Sequence, residues 1–161
     1  MDFKISVLVF LRDEADRLLL IERKKEPNKG TWSPIGGKLE MAQGESPHQC
    51  AVRETFEEVG LKIEASDLHL FAMISEKAYE GSTNWLMFAF DCRKKIPALP
   101  QDIDEGKFKF FARSEIENLK IPETDRVFIW KFFDKFRDKF SCIRVDCTPQ
   151  KELHAIVEEQ V

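Results

Sequence analysis

Gly37-Lys38-Leu39-Glu40-Met41-Ala42-Gln43-Gly44-Glu45 and, seven residues on, Arg53-Glu54-Thr55-Phe56-Glu57-Glu58-Val59-Gly60-Leu61 form the most chemically loaded stretch of this chain. Positions i, i+3 and i+4 are neighbours on a helix, so Glu54, Glu57 and Glu58 converge on one patch. Two of them fall in the last turn, where the backbone dipole already presents negative charge. Each like-charged pair costs roughly 0.2–0.5 kcal/mol, and the dipole contact about as much again. Such a cluster opposes folding, but it suits a hard divalent cation such as Mg²⁺, which takes oxygen ligands and few of them from protein.

The helix bearing these acids is clearly bounded. Ser46 is placed to cap it, Pro47 suits the first helical position, and Gln49 completes a capping box. Gly60 suits the left-handed position that ends it. Val52, Thr55, Phe56 and Val59 are expected on its core face, with the glutamates roughly opposite.

Working outward, Ile5–Leu11 reads as a buried strand and Arg17–Glu22 as its hairpin partner across Asp13-Glu14-Ala15-Asp16. A basic loop runs from Arg23 to Gly30. Trp32–Ile35 is a short extended piece, after which Gly36-Gly37 is expected to break the chain. Leu68–Lys77 and Asn84–Cys92 are expected to form a long hairpin, Lys107–Ala112 a strand and Ser114–Leu119 a short helix. Pro122 to about Phe136 reads as an amphipathic helix, Ser141–Cys147 as a last strand, and Pro149–Val161 as a final short helix. The aromatic residues Phe128, Trp130, Phe132, Phe133, Phe136 and Phe140 recur at helical spacing, so most belong to the core.

The 161 residues suffice for one domain, expected to span residues 1–161, with 43% hydrophobic and 34% charged side chains. Twenty-five basic against 29 acidic groups leave a net charge of −4, which gives no support to a broad nucleic-acid footprint. Cys50, Cys92, Cys142 and Cys147 form no CxxC pair, which favours reduced thiols and a cytoplasmic setting. No apolar run approaches the length of a membrane span or of a signal-peptide core. Oligomeric state is not legible.

Gly37, Glu45 and Arg53 through Leu61 together resemble the signature of the Nudix hydrolases: glycine, a spacer, glutamate, seven residues, then Arg-Glu-(aliphatic)-x-Glu-Glu-x-Gly-(aliphatic). Seven named positions agree, a coincidence on the order of 10⁻⁹ at average residue usage. Two positions depart from the pattern. The spacer from Gly37 to Glu45 holds seven residues where the pattern has five, and Thr55 replaces an aliphatic residue. The resemblance implies an α/β fold, a mixed β-sheet sandwiched between helices. It also implies Mg²⁺- or Mn²⁺-dependent cleavage of a nucleoside diphosphate linked to another group. Glu57 and Glu58 would be metal ligands, Glu54 a ligand or the group that activates water, and a carbonyl of Gly36 or Gly37 would complete the set. Arg53 would orient these acids, paired with Glu57 or Glu45.

The resemblance extends toward the MutT-like branch. Glu105, preceding Phe110-Phe111, matches a downstream acid of that branch, with Asp102 and Asp104 as rivals. Gly30-Thr31-Trp32-Ser33-Pro34-Ile35-Gly36-Gly37-Lys38 is similar to the entry segment of its nucleotide-sanitising enzymes, so Trp32, Ser33 and Lys38 are candidate substrate contacts. Ile121-Pro122-Glu123-Thr124-Asp125 is similar to a segment that touches the purine there, which nominates Glu123 or Asp125. An acidic helix start explains those two equally well. The implied partner is a nucleotide, with an oxidised purine triphosphate such as 8-oxo-dGTP the first substrate to consider. ADP-ribose or another nucleotide sugar is the close rival, and a catalytically silent nucleotide sensor the rival of another class.

Overall fold

β1 (Phe3–Phe10) is the pivot of a six-stranded mixed sheet. It pairs parallel with β6 (Thr83–Cys92) and antiparallel with β4 (Ile35–Lys38). The sheet order is β4-β1-β6-β5-β8-β9, with β5 (Leu68–Tyr79), β8 (Ser141–Asp146) and β9 (His154–Gln160). A second, three-stranded sheet runs β3-β2-β7, formed by Trp32–Ser33, Leu18–Arg23 and Gly106–Phe111. These elements come from a computed structural model that describes residues 2–161.

Alternation along β1 sends side chains to both faces of the sheet. Val7 and Val9 join a core with Leu19, Ile21, Ile35, Cys50, Ala51 and Phe90, under α1 (Pro47–Val59). Phe10 faces the other way, among Phe71, Ile74, Phe128, Trp130 and Phe133. Its ring stacks on Phe133 at 4.7 Å and meets Phe71 and Trp130 edge-on at 5.3 and 5.1 Å. The second helical layer is α3 (Trp130–Phe136), entered through a π-turn at Asp125–Ile129; α2 (Arg113–Ile116) is a single turn after β7. The sheet is therefore sandwiched between helices, and the aromatic residues Phe128, Trp130 and Phe133 are core.

Four local expectations are corrected. Leu18–Arg23 is not a full hairpin partner of β1: only Leu11 and Arg12 pair with Leu19 and Leu18 before the strands part into different sheets. Gly36-Gly37 does not break the chain but continues β4, opposite Leu8 and Val7. Phe56 is 58% exposed rather than core, because α1 lies on the sheet along Cys50, Ala51 and Thr55. The tail forms β9, an antiparallel edge strand on β8, in place of a helix.

Candidate active site

α1 has the boundaries its sequence calls for. Ser46 Oγ accepts the Gln49 N–H at 3.2 Å, and Gln49 Oε1 accepts the Ser46 N–H at 2.9 Å. Gly60 ends the helix in the left-handed region at φ 71°, its N–H donating to the Phe56 carbonyl. The two extra residues of the Lys38–Gly44 loop are taken up by a 3₁₀ turn at Met41–Gln43, closed by Gly44 at φ 67°. Glu45 keeps its register against the helix.

Arg53 organises the acids. Its Nε and Nη2 donate to Glu45 Oε1 and Oε2 at 2.7 and 3.0 Å, and its Nη1 to Glu54 at 2.8 Å and Glu57 at 3.1 Å. Glu45 also accepts the Glu40 N–H at 2.8 Å, which ties the lengthened loop to the helix. The Arg53 hydrogen bond is the largest influence on the Glu45 carboxyl and holds it at about 2.

Glu54 and Glu58 have the opposite environment. Burial raises both, Glu58 to about 8, with the charges of Glu54 and Glu105 adding to its shift and the Gly36 N–H opposing it. Glu58 Oε2 is buried with no hydrogen-bond partner. A Cβ placed on Gly37 would come within 2.1 Å of Glu54 Oε1, so glycine lets the β4 backbone lie against this carboxylate.

These residues fit a divalent cation. The donors are hard oxygens, one of them buried and unpartnered, beside a backbone that approaches closely. Among the described residues no three acid, histidine or cysteine side chains are yet drawn together as a cage. Mg²⁺ needs only one or two carboxylates, with water and phosphate oxygens completing its shell.

One cleft of about 660 Å³ joins this acidic end to a second region. Gly36, Gly37, Lys38, Arg53, Glu54, Glu57, Glu58 and Glu105 line it, and so do Ser33 and Asp125. Among the downstream acids, Glu105 reaches the cleft. Asp102 instead accepts the Phe108 N–H at 3.1 Å, and Asp104 is not a lining residue. Trp32 lies outside the cleft, its ring edge-on to Phe111 at 4.9 Å against the core, and Glu123 is exposed outside it. The sequence reading overlooked Glu76, Tyr79, Trp85, Met87 and Thr124, which also line it. Glu76 had a signal: it continues the buried alternation Ala72, Ile74, where a carboxylate is out of place.

A family model for the NUDIX domain matches residues 2–136. The chain belongs to the NUDIX family. Hydrolases of this family act on nucleoside diphosphate-linked compounds and generally use divalent metal ions. Among solved structures, this NUDIX protein is similar to a Mutator MutT protein from Bacillus halodurans, 24% identical over 97% of this chain and 98% of that one, with a TM-score of 0.77. A MutT protein from Methanosarcina mazei is 22% identical over 83% and 94% of the two chains, TM-score 0.69. The NUDIX domain of Shewanella oneidensis NrtR, solved with ADP ribose, is 14% identical over 84% and 88%, TM-score 0.70. At these identities the three likenesses show the fold. An octanoyltransferase from Myxococcus xanthus is 45% identical over 60 residues, 35% of this chain, and the chain spans 16% of its length. That segment is too short to bring the larger protein's activity with it.

Proposed function

We propose that this chain hydrolyses a nucleoside triphosphate to the monophosphate and pyrophosphate, with Mg²⁺ or Mn²⁺, and that an oxidised purine such as 8-oxo-dGTP is the first substrate to test. The observation that carries this reading is one cleft lined by the Glu54, Glu57 and Glu58 carboxylates with the close backbone of Gly36 and Gly37, and also by the buried polar residues Ser33, Thr124 and Asp125. A bound cation would neutralise the diphosphate and make water a better nucleophile. Glu57, Glu58 and Glu54, with a carbonyl of Gly36 or Gly37, would hold it.

Arg53 positions Glu54 and Glu57 through Nη1 while Glu45 anchors its far side. Glu105 enters from the loop before β7 and is the candidate to accept a proton from the attacking water. Lys38, at the end of β4, is the candidate phosphate contact, and Ser33 and Asp125 are candidate contacts to the base. Trp32 and Glu123, nominated by the same resemblance, lie outside the cleft and have no part in this reading.

We read residues 1–161 as one domain, since β8 and β9 extend the sheet built by residues 2–136. Free Cys50, Cys92, Cys142 and Cys147 support a reducing, cytoplasmic setting. No helix among the described residues is long and apolar enough to cross a membrane.

A substrate panel with product analysis tests the reading. Pyrophosphate from 8-oxo-dGTP in the presence of Mg²⁺ is the expected result, and Glu57→Gln is expected to abolish it in a folded protein. AMP from ADP-ribose, with triphosphates uncleaved, moves the chain to nucleotide-sugar hydrolysis. Nucleotide binding without turnover of any substrate makes it a sensor.

A further inference from the structure

One hydrogen bond joins two walls of the cleft that are far apart in sequence. The Tyr79 hydroxyl, at the end of β5, donates to Asn28 Oδ1 at 2.6 Å, and both residues line the cleft. Asn28 sits in the basic loop between β2 and β3, so the bond crosses 51 positions of chain. Burial pushes the Tyr79 hydroxyl up to about 12, with the bond to Asn28 opposing, so it stays a donor well beyond neutral pH.

The loop is closed at its stem, where the Gly30 N–H donates to the Arg23 carbonyl at 2.7 Å and the Arg23 N–H to the Thr31 carbonyl at 3.0 Å. Two carbonyls organise its tip. That of Asn28 accepts from the Thr31 N–H at 3.1 Å and from the Thr31 hydroxyl at 2.6 Å. That of Pro27 accepts from Arg23 Nε at 2.8 Å. Arg23 lines the cleft together with Glu58 and Glu105. The tip that Tyr79 fastens is therefore the tip that orients the Arg23 guanidinium.

The Tyr79 side is held firmly. Ala78 has φ 55° and Glu80 φ 51°, left-handed values that a residue with a Cβ keeps only where its surroundings over-determine them. Here the Ala78 N–H donates to Asn84 Oδ1 at 3.0 Å and the Cys147 N–H to the Lys77 carbonyl at 2.9 Å. Pro149 packs against the same turn, its ring 3.2 Å from where a Cβ on Gly81 would lie. The strand β8, paired parallel with β5, and the segment after it lie beyond residues 2–136, so a C-terminal ribbon outside the family match braces the turn that presents Tyr79.

We infer that Tyr79 and Asn28 are a positioning pair, a strap across the cleft that holds the Arg23–Gly30 loop in place before substrate arrives. The inference rests on the reading of the cleft as a nucleotide-hydrolysing site and adds to it two residues that act through Arg23. A guanidinium whose Nε is already bonded has a set plane, and its remaining donors suit an anionic group. With the strap intact the loop is ordered in advance; without it, binding must supply that ordering, which weakens binding and leaves the chemical step alone.

Tyr79→Phe removes only the donor, and Asn28→Gly removes the acceptor at a position whose φ of 64° glycine adopts freely. Trypsin reads the loop directly, since Lys24, Lys25 and Lys29 are exposed along it. With neither substrate nor metal present, cleavage at these lysines, mapped by fragment mass, should quicken roughly three- to tenfold in Tyr79→Phe, the worth of one neutral hydrogen bond. In the hydrolysis assay KM should rise by a similar factor in each variant, with kcat within about twofold of the native value. The double variant should be no worse in KM than the more affected single one, because the two side chains serve one bond. Circular dichroism verifies folding, and should Asn28→Gly not fold, Tyr79→Phe carries the trypsin and KM tests. Native trypsin rates in Tyr79→Phe, quickened cleavage with KM unchanged, or additive effects in the double variant overturn the inference. The two readings fail separately: a native chain that hydrolyses no nucleotide refutes the hydrolytic one while the trypsin comparison still decides the strap, and normal hydrolysis with unchanged proteolysis refutes the strap alone.

Discussion

Arg53 grips Glu45 with two nitrogens, Nε to Oε1 at 2.7 Å and Nη2 to Oε2 at 3.0 Å, across eight residues of sequence. This fork–fork pair fixes the guanidinium plane, so the remaining nitrogen, Nη1, meets Glu54 and Glu57 from a set direction. Glu45 is 9% exposed and Arg53 22%, so the pair is partly shielded from solvent.

Glu45→Gln is expected to lower stability by about 2 kcal/mol, the loss of charge-assisted hydrogen bonds, in urea denaturation at neutral pH. The sign with pH follows from the depressed folded value of about 2 against 4.5 unfolded. The stabilisation is fully present above 4.5 and is lost as pH falls toward 2. The acid limb of a stability–pH curve should therefore be shallower in Glu45→Gln.

Gly36 and Gly37 are adjacent but should respond differently to alanine. A Cβ on Gly37 meets the movable carboxylate of Glu54 at 2.1 Å, whereas one on Gly36 meets the backbone oxygen of Val7 at 2.0 Å. Gly37→Ala should stay folded and lose turnover by about a hundredfold, because Glu54 must swing away. Gly36→Ala should lose about 3 kcal/mol or more, because β4 cannot close on β1. Thermal melts alongside turnover separate the two.

Divalent cation should stabilise the protein itself. At a hundredfold excess over Kd the linkage is about 2.7 kcal/mol, a rise of roughly 5–10 °C in Tm for a chain of this size. EDTA should reverse it, and Glu58→Gln should abolish the Mg²⁺-dependent part. An unchanged melting curve on adding Mg²⁺ or Mn²⁺ would count against the metal assignment.

Stability of the nucleotide-free protein should decline from mildly acidic to alkaline pH through Glu76 and Asp125. Their folded values, about 7 and about 8, lie above 4.5 and 3.8, so the folded state binds the extra protons. Stability from these groups is greatest below the unfolded values and falls as pH rises through 7 to 8. Urea midpoints between pH 5 and 9 should show this slope in the native chain and a reduced one in Glu76→Gln.

The capped helix was legible because its signals are local: Ser46, Gln49 and Gly60 act on backbone groups within a turn of themselves. The tail was not. All seven residues of β9 are exposed, so burial left no periodicity in His154–Gln160, and backbone pairing with β8 set its conformation. Phe56 misled for a related reason, since an apolar residue on a helix does not say how far the buried stripe extends around it.

The carboxylate stripe of Glu54, Glu57 and Glu58 and the helix that carries it follow from residue spacing, because helix geometry makes near neighbours in sequence neighbours in space, and the family follows from the resemblance of Gly37, Glu45 and Arg53–Leu61 to its signature. The far end of the cleft does not. Glu76 and Asp125 come from a strand and a π-turn separated by β6, β7 and α2, and they meet only because the sheet and the second helical layer close over Phe10, Phe71 and Trp130. Sequence reveals an acid at a buried register; packing decides which other acid is buried beside it.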